Sequence, residues 1–404
     1  MRELPARRTR AYVDLDNLAA NLAALRAQSG GAGVVLPVKA DAYGHGQVPV
    51  ARRAISEGVA MLAVANAQEL AVLRAAGINH PTLVLEDLFD DELPAAVSDP
   101  EARFNVSSHA YARLLSAAAE AAGATARVHV NIDTGMGRMG LLSDSPEADV
   151  TSIAGLPGIG VEGVFSHFPD SDEEDLRAAR RQLERFGEIV RGIERAGVSL
   201  RFRHIANSAA VMVFGPDAAF DLVRPGVSAY GMYPSAAVAE RMRGVVKLRP
   251  CMTVVSALVK VTAYDREWTV GYGRSYTVGP GSRIGVVPVG YGDGYRRALS
   301  NCGTALVHGT RVPVCGRVSM DMITLDLTDL PEEPSVGDEV VLLGRQEWPR
   351  RGDAGAAAGA REAAILAEEM AETIGTISYE ITCGFTPRIP RVYRGAGAPA
   401  ARPA

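Results

Sequence analysis

Between residues 15 and 245 the chain keeps repeating one unit: a short apolar, β-branched run, then a stretch with helical spacing. The runs are VVLPVK (34–39), MLAVAN (61–66), PTLVLED (81–87), ARFNVSS (102–108), ARVHVNID (126–133), VEGVFSHF (161–168), FRHIANS (202–208) and DLVRPGVSAYG (221–231). Between them lie patterns such as AQELAVLRAAG (67–77) and EEDLRAARRQLERFGEIVRGIERAG (173–197). Gly77, Gly123 and Gly197 stand where helices would end in a left-handed residue. Strands buried on both faces and alternating with helices form parallel sheets. Eight of them favour an α/β fold of the (β/α)8 TIM-type barrel over an open doubly wound sheet, although periodicity leaves closure open.

After residue 250 the punctuation changes. MTVVSALVKVTAYD, RIGVVPVGYGDG, TALVHGTRVPVCGRVSMDMITLDL and GDEVVLLG are strand-like and separated by glycine and proline turns, with little helix between them. This predicts a smaller, mostly β C-terminal domain over 246–393. The opening strand, within 1–14, is expected to join it, and the barrel is expected over 15–245. Residues 350–362 are Gly/Ala-rich and read as a loop leading into a helix over AAILAEEMAETIG (363–375). The tail, 394–404, is expected to be disordered.

A chain of 404 residues, 47% hydrophobic, suits such a two-domain enzyme. The net charge of −5 gives no case for nucleic acid or an anionic membrane, and the short Arg7-Arg8 and Arg180-Arg181 clusters read as solvated surface. Cys251, Cys302, Cys315 and Cys383 are dispersed, which argues for reduced thiols and against a disulfide scaffold or a zinc site. No apolar run is long enough to span a bilayer, and a cytoplasmic location is expected. GMGRMG (135–140) matches a dinucleotide fingerprint, but LLSDSPEADV follows where a long helix should open, so nicotinamide binding is set aside.

In a barrel, chemistry gathers at the C-terminal ends of the strands. Lys39 ends the first run, Arg138 follows the fifth, and His167 ends the sixth. Asn207 and Ser208 end the seventh, and Arg224 and Gly226 belong to the eighth. Each alone has a structural explanation. Strand-end lysines snorkel to water, a histidine can be a satisfied core residue, and a serine can cap a helix. Together they make a pocket suited to a phosphorylated aldehyde. A partly desolvated lysine can form a Schiff base. A helix start near Ser208 suits phosphate, and Gly226 admits close backbone approach. Arg224 cannot give up its proton, so opposite a pyridine nitrogen it would keep that nitrogen bare and discourage transamination.

LPVKADAYGHG, NIDTGMGRMG, FSHF, HIANSAA, VRPGVSAYGMYPS, VGYGRSY, VGYGDGY and CGRVSMDM resemble the alanine racemases, in order, from about residue 10 to 393. The resemblance implies pyridoxal 5′-phosphate, held covalently by Lys39, and a homodimer with shared active sites. Lys39 and Tyr272, the latter from the partner subunit, would be the two bases that interconvert L- and D-alanine for peptidoglycan. Tyr43, Ser208, Gly226 and Val227 would hold the phosphate, and Asn207 and His167 would also belong to the cofactor site. Arg224 would face the pyridine nitrogen, with His167 linking it to Tyr272. Arg138, the Met320 backbone N–H and Tyr291 would serve the substrate. Two positions depart from the family. Asn131 replaces a lysine that is often carbamylated, which suggests a bound anion such as chloride beside Asn131 and Arg138. Pro387, in CGFTPRIP, replaces a tyrosine that reaches the phosphate in some relatives. The alternatives are a racemase of serine or broader substrates, a decarboxylase of basic amino acids, and a non-catalytic cofactor-binding protein.

Overall fold

The alternation resolves into eight parallel strands. The first strand of the chain, β1 (Arg10–Asp14), lies outside them. They are β2 (Gly33–Pro37), β3 (Met61–Val64), β4 (Thr82–Val84), β5 (Ala102–Val106), β6 (Ala126–Asn131), β7 (Ile159–Phe165), β8 (Phe202–His204) and β9 (Leu222–Val223). The computed structural model describes residues 7–348 and 361–398. In it β2 to β8 pair in chain order and β9 returns to pair with β2. Two backbone bonds bring β8 and β9 together, Asp221 N to Arg203 O at 3.1 Å and Arg224 N to Ala206 O at 2.9 Å. The sheet is thus a nearly closed barrel, as the sequence predicts. Part of the core is apolar: Val35, Met61, Ala63, Leu83 and Leu222 form one buried cluster. Burying each large side chain of this kind contributes about 1.5–3 kcal/mol.

The helices follow the predicted punctuation. Arg177–Arg195 turns Ala179, Phe186, Ile189 and Ile193 inward, one apolar face at helical spacing. Gly77, Gly123 and Gly197 all have positive φ, between 58° and 90°. The GMGRMG segment is a loop pinned by Asp133, whose carboxylate accepts from Gly135 N at 2.8 Å and Gly137 N at 2.7 Å.

The chain divides into two compact units, residues 17–42 with 46–249, and residues up to 16 with 43–45 and 250 onward. The second is mostly β. Its larger sheet runs in the order Thr310–Pro313, Thr304–Val307, Glu339–Trp348, Met252–Ala257, β1 and Arg391–Arg394, and Arg361–Ile365 also pairs with Glu339–Trp348. A second sheet joins Lys260–Ala263, Arg283–Val287 and Ile323–Asp326, and a separate hairpin joins Trp268–Val270 to Tyr276–Val278. One expectation needs correction. The helix predicted over 363–375 begins only at Ala367, because Ala363–Ile365 is spent on pairing with Gly344, Arg345 and Gln346. Sheet pairing outweighs the helix propensity of alanine. Most of the expected loop at 350–362, and the end of the expected tail, lie outside the described residues.

Candidate active site

Lys39 opens an unusual turn. The four residues after it, Ala40, Asp41, Ala42 and Tyr43, all have φ between 51° and 55°. Left-handed backbone costs a residue with a Cβ about 1–2 kcal/mol, so the surroundings must enforce the turn. Glu69 does much of this. Its Oε1 accepts from Ala40 N at 2.7 Å and its Oε2 from Ala65 N at 2.7 Å. Asp41 supplies the rest: Oδ1 accepts from Gln47 N at 2.7 Å and its carbonyl from Gly46 N at 2.8 Å. Glu69 is itself placed by Asn66, which caps its helix through Glu69 N at 3.0 Å. A carboxylate can accept two backbone N–H groups at once, whereas an amide presents an N–H to one of them. Glu69→Gln is therefore expected to destabilise the fold by about 1–3 kcal/mol, read as a fall in the urea midpoint at unchanged slope.

Arg224 is the hub of the barrel's polar groups. It is buried, at 6% exposure, and donates through Nη1 to His204 Nδ1 at 2.7 Å. Nη2 donates to Ser166 O at 2.6 Å and His167 Nδ1 at 3.1 Å. Among the described residues it forms no ion pair. Burial, and then the charge of Arg138, pull its pKa down to about 9, so it remains a cation at neutral pH. His167 is pushed down to about 3 by burial and by the charges of Arg224, Arg138 and Lys39. Lys39 and Arg138 thus act on this ring through their charge, and Arg224 through direct contact. A guanidinium only donates, so His167 is a neutral ring with a bare Nδ1. Gln182 fixes its backbone, donating from Nε2 to His167 O at 2.8 Å.

The phosphate-side candidates also cluster. Asn207, not Ser208, caps the helix Ser208–Phe214, its Oδ1 accepting from Ala210 N at 3.0 Å. Ser208 is the first helical residue. Its Oγ accepts from Ser228 N at 3.2 Å, which ties this helix start to the 3-10 turn Val227–Tyr230 that follows Gly226. Tyr230 Oη donates to Pro37 O at 2.8 Å and so anchors that turn to the end of β2. Asn131 is buried and donates to Met139 O at 3.1 Å, in the loop that carries Arg138.

In the β unit, Tyr272 stands in the hairpin turn at 70% exposure. Tyr291 and Met320 lie on adjoining loops, joined by Tyr291 N to Ser319 O at 3.0 Å and Gly292 N to Met320 O at 2.9 Å. Met320 is 53% exposed. Beneath them Asp293 is fully buried and paired with Arg7 at 2.6 Å and Arg388 at 3.3 Å. The Tyr43 ring packs on that of Tyr379, with centroids 5.8 Å apart, and Pro387 is exposed. Glu69, Gln182, Asp293 and Arg7 escape sequence reading, because each acts through a partner remote in the chain.

A nearly closed β/α barrel that carries a lysine, two arginines and a neutral histidine at or just beyond its strand ends, followed by a β domain, is the architecture of a barrel enzyme acting on a small molecule. Two family models match: the N-terminal domain of alanine racemase over residues 13–234 and its C-terminal domain over 251–393. The chain is 38% identical to alanine racemase 2 of Caldanaerobacter subterraneus subsp. tengcongensis, over 96% of this chain and 95% of that one. It is 42% identical to the alanine racemase of Syntrophobacter fumaroxidans over 86% of each. The crystal structure of alanine racemase from D-cycloserine-producing Streptomyces lavendulae superposes with a TM-score of 0.85 at 35% identity, covering 98% of both chains. The chain belongs to the alanine racemase family and is an isomerase of that family.

Proposed function

We propose that the protein interconverts L- and D-alanine with pyridoxal 5′-phosphate, supplying D-alanine for peptidoglycan in the cytoplasm. The observation that carries this is Arg224: a buried guanidinium whose side-chain partners, among the described residues, are the neutral rings of His204 and His167. The donor set fits the cofactor. The two tied helix starts at Ser208 and Gly226 offer N–H groups to a phosphate, with Asn207, Val227 and Tyr43 supporting that end. Arg224 offers only donors, which suits an unprotonated ring nitrogen. The cofactor supplies an electron sink that acidifies the α-proton of a bound amino acid.

Lys39 anchors the cofactor and moves the proton on one face of Cα. Tyr272 serves the other face from a second protomer, and its exposure in the single chain supports that assignment. His167, with Nδ1 held by Arg224, has its Nε2–H left for that phenol. Arg138, the Met320 backbone and Tyr291 orient and confine the substrate. Asn131 and Arg138 hold an anion, chloride being the simplest. Among the described residues no helix is long and apolar enough to cross a membrane.

The test follows single L-amino acids in deuterium oxide by α-proton exchange and chirality. Alanine is expected to exchange and racemise, with other amino acids slower. Tyr272→Phe is expected to keep the visible chromophore yet lose about 10²–10⁴-fold in turnover from the L side. Full activity in that variant would remove Tyr272 from the chemistry. Exchange of alanine with retained chirality would reject the two-base reading, and alanine that neither exchanges nor racemises would reject the substrate.

A further inference from the structure

Opposite the apolar cluster, the barrel interior carries a file of polar side chains. Phe202 packs against that cluster, and its ring lies 5.8 Å from His129. His129, on β6, and His204, on β8, are both fully buried, and His129 Nδ1 lies 2.7 Å from His204 Nε2. His204 Nδ1 in turn meets Arg224 Nη1 at 2.7 Å. At the other end His129 Nε2 faces Glu162 Oε2 at 4.0 Å, and Glu162 also meets Arg103 at 3.2 Å and Arg127 at 3.6 Å.

The direction of every proton in this file is fixed by its last member. Arg224 can only donate, so His204 Nδ1 is bare and its proton sits on Nε2. That proton points at His129 Nδ1, which must therefore accept, leaving the His129 proton on Nε2 and aimed at Glu162. Both rings are held neutral by burial and by Arg224, with Arg103 adding to the effect at His129.

The backbone is shaped for this file. Val128 pairs with Val161 and His129 with Gly163, so Glu162 is the extra residue of a β-bulge. Bulges re-aim side chains. Gly163 clears the space: a Cβ there would stand 2.5 Å from Phe202 O and 3.2 Å from His129 Nδ1. Barrel interiors are ordinarily filled by branched apolar residues, and a buried polar group without a purpose costs stability.

We propose that His204, His129 and Glu162 are positioning residues for Arg224. The two imidazoles lock one guanidinium nitrogen through a one-way hydrogen-bond chain that ends at His129 Nε2, and Glu162, 4.0 Å beyond and not hydrogen-bonded to it, acts on the chain through its charge. This rests on the reading that Arg224 faces the cofactor ring. With Nη1 committed to His204 and Nη2 to His167 and Ser166, the guanidinium is held in a single orientation toward that ring.

The full-length protein tests this in two ways. In nitrogen-15 histidine NMR of the apoprotein, His204 and His129 are expected as neutral rings with the proton on Nε2 from about pH 6 to 8. A proton on Nδ1 of His204, or a charged ring, overturns the chain's direction. In the holoprotein, His129→Leu is expected to lower kcat about 10- to 100-fold with KM within about twofold. It should also shift the pH titration of the visible cofactor absorbance. His129→Asn keeps an acceptor for His204 but cuts the path to Glu162, so it should match Glu162→Gln at a smaller loss, about 3- to 10-fold. Wild-type kcat and titration in both Glu162→Gln and His129→Asn overturn the positioning role, and these two decide the matter if His129→Leu fails to fold. If the wild-type protein takes up no cofactor on Lys39, the functional reading fails while the NMR result stands.

Discussion

Lys39→Ala will lose racemisation by more than about 10³-fold and will give borohydride nothing to lock the cofactor onto, while unfolding within about 1 kcal/mol of the parent protein. The two halves of this expectation have different causes. Activity falls because one amine both anchors the cofactor and carries the proton, and a guanidinium cannot replace it as a Schiff-base amine. Stability survives because the clamps of the turn, the Glu69 carboxylate on Ala40 N and the Asp41 carboxylate on Gln47 N, do not involve the lysine side chain. Mass spectrometry after reduction and a thermal scan of the apoprotein check the two halves separately. A labelled Lys39→Ala protein would move the anchor to another amine. A collapse in stability would mean that Lys39 builds the turn rather than occupying it.

The barrel was legible in the sequence because short β-branched runs recur between stretches of helical spacing, so all eight runs overlap strands. The candidate residues at strand ends were legible for a related reason, since burial makes a lysine or arginine there conspicuous. Three features were not. The left-handed turn at Ala40–Tyr43 uses two alanines and a tyrosine, which do not advertise positive φ, beside a single aspartate, and is held by Glu69 as well as by Asp41. The bulge at Glu162 depends on register against β6, which no single run encodes. Ala363–Ile365 has a helical composition but finds an open strand to pair with. Each is a case where a tertiary partner overrules the local signal.

Gly44→Ala will unfold at a markedly lower denaturant concentration than Gly58→Ala, by about 2–5 kcal/mol against about 1 kcal/mol. Both glycines have positive φ, 82° and 74°, so both substitutions put a Cβ on left-handed backbone. What differs is the space around them. A Cβ at Gly58 meets nothing within 4 Å, whereas one at Gly44 would stand 2.2 Å from Thr382 O and 2.9 Å from its carbonyl carbon. Those are backbone atoms of the helix Ser378–Gly384 and cannot rotate away as a side chain would. Gly44 is held from its other side as well, its carbonyl accepting from Arg391 Nε at 3.0 Å. Relieving the clash must therefore either break that bond or push back along the chain into Tyr43 and the left-handed turn that begins after Lys39. For this reason Gly44→Ala should also lower turnover, and Gly58→Ala should leave it intact. Equal urea midpoints for the two variants would mean that the segment after Tyr43 yields freely, and that close packing at Gly44 does not hold the lysine's turn in place.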